Sequence, residues 1–163
     1  MAAGVRVMLD DRDAYTPGWK FSEWELRGVP LRLEIGPKDI EKQQVMLARR
    51  DTREKLPTPV AGLPGRVQEL LAAIQQNLFE RALAFQLDHT SRAGTWDAFT
   101  QTMEGRPGFV IAPWCGDAVC EADIKAATQA TIRNLPLDEA PGGAPCVKCG
   151  RPSVADAWFA KAY

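Results

Sequence analysis

Histidine is nearly missing from this sequence: His89 is the only one in 163 residues. That excludes a histidine-built metal site and leaves one residue for imidazole acid–base chemistry. Cysteine is absent from the first 114 positions and then occurs four times, at 115, 120, 146 and 149. No apolar run approaches the roughly 18–20 residues that a membrane-spanning helix needs. The opening residues, Met-Ala-Ala-Gly-Val-Arg, have neither the apolar stretch nor the cleavage pattern of a secretory signal, so a cytoplasmic protein is expected. Neither sign of charge is in excess, with 20 basic and 21 acidic side chains and a formal net charge of −1. This balance excludes a basic tail that coats nucleic acid and an acidic disordered chain, yet leaves room for a local RNA-reading face. With 45% hydrophobic and 25% charged residues, the chain fits one ordinary folded domain or two small ones.

The local patterns predict two regions of different character. Val5, Val7 and Leu9 alternate with polar or flexible neighbours and predict a strand. Thr16 followed by Pro17 is a helix-start signal, with Gly28 and Pro30 ending the helix that holds Phe21, Trp24 and Leu26. Leu31, Leu33 and Ile35 alternate with Arg32 and Glu34 as a second strand; after a Gly36–Asp39 turn, Val45–Ala48 reads as a third. Residues 51–65 are charged and then proline-rich, which predicts a linker with little regular structure. From Arg66 to about His89, Val67, Leu70, Leu71, Ile74, Leu78, Ala82 and Phe85 recur at steps of three and four and predict a long amphipathic helix. A shorter helix around Trp96, Phe99 and Met103 is expected after a Thr95 cap. A buried strand should cover Phe109–Trp114, and a helix capped by Asp117 should carry Cys120, Ile124 and Ala127. Thr131–Leu135 and Trp158–Ala162 are the remaining strands. The expected fold class is α/β followed by α+β, with domain limits at 1–60, a connecting helix over 61–92, and 93–163.

Cys115 and Cys120 are separated by four residues and Cys146 and Cys149 by two, with 25 residues between the pairs. Two short-spaced thiol pairs are what a tetrahedral four-cysteine zinc site requires, each turn of backbone supplying two ligands. Gly116 and Gly150 each follow one member of a pair and ease the turns that aim amides at sulfur. The same spacing is compatible with two disulfides or with unrelated buried thiols, although a reducing compartment disfavours the former. With four thiolates no coordination position stays open for water or substrate, so the metal is expected to be structural, and an independent zinc enzyme is disfavoured.

Several motifs occur together at characteristic spacing: Asp10-Asp11-Arg12-Asp13, Tyr15-Thr16-Pro17-Gly18-Trp19-Lys20-Phe21, Trp24-Glu25-Leu26-Arg27-Gly28-Val29-Pro30 and Gly36-Pro37-Lys38-Asp39. They are followed by Cys115-Gly116-Asp117 with Cys120-Glu121, Thr131-Ile132-Arg133, Cys146-Val147-Lys148-Cys149-Gly150 and a final Phe159-Ala160-Lys161-Ala162-Tyr163. This series resembles the C-terminal half of prolyl-tRNA synthetases of the archaeal and eukaryotic type, over essentially the whole chain. The resemblance implies an anticodon-binding domain, a partial mixed sheet with flanking helices, and then a small zinc-binding α+β domain. It places the start of this chain after the first strand–helix unit of the anticodon domain and implies that the catalytic domain is absent.

The family activates proline with ATP and Mg²⁺, esterifies it to tRNA(Pro), and is expected to dimerise in its full-length form. This chain alone is expected to be inactive, with no catalytic residue of its own and with its catalytic domain as a partner. A freestanding, non-catalytic RNA- or protein-binding module derived from the synthetase is the alternative. Proline anticodons share two guanines, whose O6 and N7 suit Lys or Arg and whose N1–H and N2–H suit a carboxylate. On that basis the resemblance implies RNA contacts first by Lys38 and Glu34, then by Asp39, Arg12 and Lys20, with Phe21 or Trp19 able to stack on a base. It also implies that Tyr163 and its carboxylate face the active site of the full enzyme. Arg12 paired to Asp10 or Asp13, Glu34 paired to Arg32, and a solvated Lys20 are the plain structural alternatives. His89 is expected to be a capping or surface residue.

Overall fold

Thr16 and Pro17 open the first helix as their chemistry requires. The structure, a computed structural model, describes residues 4–105, 108–137 and 143–162. Helix α1 spans Pro17–Leu26, with the Thr16 hydroxyl accepting from the Trp19 amide at 3.4 Å. The described residues divide into two compact units within residues 1–82 and 83–163.

The first unit continues with β1 (Leu31–Glu34), a short helix α2 (Pro37–Glu41), β2 (Gln44–Arg49), β3 (Lys55–Pro59) and the start of α3 (Leu63–Asp88). The strands form one antiparallel sheet in the order β1-β2-β3. Residues 35–43 and 50–54 are too short for the crossover that a parallel neighbour needs, so parallel pairing occurs only in the second sheet among the described residues. Val45, Leu47 and Leu70 form the core, with Leu31, Leu56, Leu63 and Val67 packed on it.

Three expectations for this unit need correction. The Val5–Leu9 alternation does not become a strand: among the described residues the sheet ends at β1 and no strand pairs with that segment, and Val7, Met8 and Leu9 are exposed. The Gly36–Asp39 turn is instead the N-cap and first turn of α2. The proline-rich linker contains a strand. Arg49 donates to Glu54 O and Val60 to Gln43 O, so even-numbered residues of β3 bond to β2 while Pro57 and Pro59 turn their imide nitrogens away. Proline is tolerated at those positions of an edge strand.

Only the first turns of α3 bury their apolar face. Leu70 and Ile74 are 3% and 2% exposed, whereas Phe79, Phe85 and Leu87 exceed half exposure. Leu78 and Phe85, which belong to the same apolar periodicity, are left exposed. Helical periodicity identifies a face but not what covers it. His89 ends this helix, its Nδ1 donating to Phe85 O at 2.8 Å and its ring stacked on Phe85.

The second unit contains β4 (Thr90–Arg92), α4 (Trp96–Gly105), β5 (Phe109–Trp114), α5 (Ala118–Thr128), β6 (Ala130–Asn134) and β7 (Ala155–Lys161). Its sheet runs β4-β5-β7-β6, parallel between β4 and β5 and antiparallel elsewhere. Short β4 was not foreseen; three residues carry too little alternation to register. Phe99, Val110, Ile124, Ala157 and Phe159 form the core, with Phe99 and Phe159 edge to face at 5.2 Å. Such a pair adds about 0.5–1.5 kcal/mol beyond its buried area. No described helix is long and apolar enough to cross a membrane.

Candidate metal centre and nucleic-acid face

Both cysteine pairs are placed by backbone turns at the end of β5. Cys115 directly follows that strand, and Gly116 reverses the chain at φ 82°, where an added Cβ would sit 3.0 Å from the Val154 side chain. Asp117 then caps α5, accepting from the Val119 amide at 2.8 Å, and Cys120 falls in the first helical turn. In the second pair, Cys146 donates its amide to Arg151 O at 2.7 Å and Gly150 donates to Cys146 O at 3.0 Å, closing a tight turn. Val147 donates to Pro113 O at 2.9 Å and lays this turn against β5. Gly150, at φ 73°, supplies a backbone geometry that side-chain-bearing residues rarely adopt.

The four Sγ atoms lie within 4.8 Å of one another. Cys120 and Cys146 approach at 3.7 Å, and Cys115 and Cys149 at 3.6 Å. A tetrahedron of sulfurs about 2.3 Å from its centre has edges of about 3.8 Å, so the donor set fits Zn²⁺ in both chemistry and size. All four thiols are free. The cluster has two unlike edges: Cys120 and Cys146 are buried in the core, while Cys115 is half-buried and Cys149 exposed. Burial pushes the thiols of Cys120 and Cys115 up from their ordinary range. Hydrogen bonding from Arg151 brings Cys149 down to about 6.

Arg151 and Lys148 border the cluster; Lys148 stands inside the quoted motif, which assigns it no role, and Arg151 lies just beyond it, not singled out. Arg151 donates from Nε to Cys149 Sγ at 3.4 Å and from Nη2 to Cys115 Sγ at 3.6 Å. The same Nη2 donates to Asp117 Oδ2 at 2.6 Å, and this pairing lowers the Asp117 pKa. Lys148 Nζ sits 3.8 Å from the centroid of Trp96 and ties its turn to α4.

The residues expected to meet RNA fall into two groups within the first unit. Arg12 and Lys20 converge on Asp10. Arg12 pairs with Asp10 and with Glu23, both at 2.7 Å, and Lys20 Nζ donates to Asp10 O at 3.3 Å. Trp24 Nε1 donates to Asp10 Oδ2 at 2.8 Å, so Asp10, the first residue of the quoted motifs and one of the two partners weighed for Arg12, is the hub of this group. The Arg12 pairing holds its carboxyl far below the ordinary range. The guanidinium of Arg12 also lies 4.9 Å from Tyr15 and 5.5 Å from Trp19, two exposed rings stacked at 3.9 Å. Phe21 is half-buried, with the Arg32 guanidinium 4.0 Å from its ring centroid.

The second group lies at β1 and α2. Glu34 accepts from Arg32 at 2.9 Å and from Lys55 at 3.2 Å. Asp39 uses both oxygens within the chain, accepting from the Gly36 amide at 3.0 Å and from Gln44 at 3.1 Å. Lys38 is exposed on α2. Tyr163 lies outside the described residues.

Comparison with known proteins agrees with this division. Residues 1–70 match a family described as an anticodon binding domain, and residues 96–163 match one described as prolyl-tRNA synthetase, C-terminal. Proline–tRNA ligase 2 of Clostridioides difficile is 49% identical over 162 residues, covering 99% of this chain and 34% of that protein. The proline–tRNA ligase of Lachnospira eligens is 46% identical over 162 residues, with the same coverage of 99% and 34%. That of Mycobacterium leprae is 45% identical over 165 residues, again covering 99% of this chain and 34% of its own length. The chain thus spans about a third of the length of the curated relatives it matches. Together these matches support a C-terminal portion of a prolyl-tRNA synthetase, an anticodon-binding domain followed by that family's C-terminal domain.

Proposed function

We propose that this chain is the tRNA-reading and zinc-stabilised portion of a cytoplasmic proline–tRNA ligase. What supports the reading is the succession, on one chain, of an anticodon-binding match and a C-terminal match whose four cysteines converge. In the whole enzyme, proline and ATP–Mg²⁺ give prolyl-adenylate and pyrophosphate, and the prolyl group then passes to a terminal hydroxyl of tRNA(Pro) with release of AMP. The role of this portion is to bind and orient the anticodon loop relative to a catalytic domain. Homodimerisation and an approach of Tyr163 to the active site belong to that full-length assembly. The connection over 61–92 then joins an RNA-reading part, 1–60, to a metal-bearing part, 93–163.

Within the RNA-reading part, Lys38 is the first candidate contact: it is exposed on α2, and its ammonium suits guanine O6 or N7. Arg12, backed by Tyr15 and Trp19, offers a second cation beside exposed aromatic surface. Arg12, Glu34, Asp39 and Lys20 are tied to neighbouring residues, and they contact the RNA directly only by exchanging those bonds. Cys115, Cys120, Cys146 and Cys149 would hold Zn²⁺ in a closed four-thiolate shell, which supplies folding energy rather than a reaction step.

Filter binding of the purified chain to tRNA(Pro), and to a tRNA(Pro) with both shared anticodon guanines replaced, tests the reading. Each lost base contact costs about 1–3 kcal/mol, or about 5- to 150-fold in affinity. Equal binding to both tRNAs overturns anticodon recognition.

A further inference from the structure

The exposed edge of the sulfur cluster carries a feature that coordination alone does not require. Cys120 and Cys146 are enclosed by the second unit's core, whereas Cys149 and, in part, Cys115 face solvent. The Arg151 guanidinium lies on this open edge. It reaches one sulfur from each cysteine pair, Cys149 through Nε at 3.4 Å and Cys115 through Nη2 at 3.6 Å. A simple surface ion pair with Asp117 would use Nη2 alone. Asp117, fixed as the N-cap of α5, accepts from that nitrogen at 2.6 Å and sets the plane of the guanidinium.

From this geometry we infer that Arg151 is a positioning residue for the metal centre, bridging the two cysteine pairs from outside and closing the solvent-facing edge of the cluster. The inference rests on the zinc reading given above. Its physical basis is charge and geometry. Four thiolates around a divalent cation leave a net charge of −2, and a fixed cation with two aligned N–H donors stabilises the exposed pair. Hydrogen-bond partners outside the ligand shell orient the ligands, and their loss typically costs 10- to 100-fold in metal affinity. Lysine is a poor substitute, because one ammonium lacks the planar fork that meets two sulfurs and a carboxylate together.

The test uses the 163-residue chain loaded with one equivalent of Zn²⁺, and measures zinc transfer to a chromophoric chelator. Arg151→Gln is expected to transfer zinc at least about 10-fold faster than wild type. Arg151→Lys and Asp117→Asn should fall between them. Arg92→Gln, which breaks the exposed ion pair with Asp156 in the same unit, should match wild type. In the Co²⁺-loaded chain, the sulfur-to-cobalt charge-transfer bands should shift in Arg151→Gln, a change that general loss of stability does not produce.

If the wild-type chain takes up neither Zn²⁺ nor Co²⁺, the metal reading falls and this inference falls with it. If wild type binds metal but Arg151→Gln transfers it at the wild-type rate with unshifted bands, only the role of Arg151 is overturned. Should Arg151→Gln fail to fold, wild-type transfer rates in both Arg151→Lys and Asp117→Asn overturn it equally.

Discussion

Asp117 and Arg151, 34 positions apart in the sequence, meet at 2.6 Å. Asp117 is also the N-cap of α5, the helix that carries Cys120. One carboxylate thus serves both a helix start and the turn of the second cysteine pair. Replacing it with alanine removes the cap and the ion pair together. Loss of an N-cap alone costs about 0.5–2 kcal/mol. Thermal denaturation of the zinc-loaded chain should show a lower midpoint for Asp117→Ala than for Asp117→Asn, which retains capping ability.

Removing a ligand should be more severe. Cys146→Ser withdraws a buried sulfur from the enclosed edge of the cluster. Structural zinc in small peptides contributes on the order of 10–16 kcal/mol at neutral pH, so the second unit should lose its fixed packing when the ion leaves. Elemental analysis under reducing conditions should fall from about one zinc per chain to well below one, and near-ultraviolet circular dichroism should collapse with it. A chelator added to wild type should produce the same spectral loss. An unchanged spectrum after complete metal removal would count against a structural role.

Lys38 provides the corresponding test for RNA. It is exposed, so Lys38→Ala should leave folding and metal content intact. Loss of a specific base contact predicts roughly 5- to 150-fold weaker binding to tRNA(Pro). Wild-type affinity in this variant removes Lys38 from the interface.

The β2–β3 hairpin predicts a pH dependence. Asp51 accepts both guanidinium bonds of Arg49, at 3.0 and 2.7 Å, and the Asn77 amide at 2.6 Å from α3. Its side chain is 1% exposed. Arg49, and then Asn77, hold its pKa down at about 2, below the ordinary value of 3.8. A carboxyl depressed by folding contributes stability that is complete above the unfolded value and is lost as pH falls from about 4 through about 2. The shift corresponds to at most about 2 kcal/mol. The difference in urea midpoint between wild type and Asp51→Asn should therefore be large at pH 6 and shrink toward pH 2.5. Loss of metal in acid affects both proteins alike and leaves this difference interpretable.

Gly108 offers a purely steric prediction. It adopts φ 150°, and an added Cβ would run into the carbonyl oxygen of His89, which accepts from the Phe109 amide at 2.8 Å. The obstacle is backbone and cannot rotate away. Gly108→Ala should destabilise the second unit by about 2 kcal/mol or more, measured by denaturant unfolding with metal content held constant.

Much of the metal centre was legible in sequence, because thiol spacing directly encodes which backbone turns can present sulfur to a common point. Asp117 as a cap and the glycines after Cys115 and Cys149 followed from local chemistry for the same reason. Arg151 did not, since an arginine's partners depend on where a distant helix begins. The helices around Trp24, Leu70 and Cys120 were readable from caps and periodicity. Strand β3 was hidden because two prolines signal a loop unless one knows that they lie at an edge and on the unbonded parity. Val5–Leu9 misled in the opposite direction: alternation shows a capacity to pair, and pairing needs a neighbour. Among the anticipated RNA contacts, the motifs could not reveal that Asp39 spends both oxygens on its own helix start and on Gln44.

The two imide nitrogens on the outer border of β3 have a further consequence. An open strand normally offers incoming chains a regular row of amide hydrogens, the template on which fibrils and unwanted multimers grow. At positions 57 and 59 that row has no hydrogens to offer. The prolines therefore protect that side of the sheet from self-association, and replacing both with valine should restore a row of amide hydrogens open to an incoming strand.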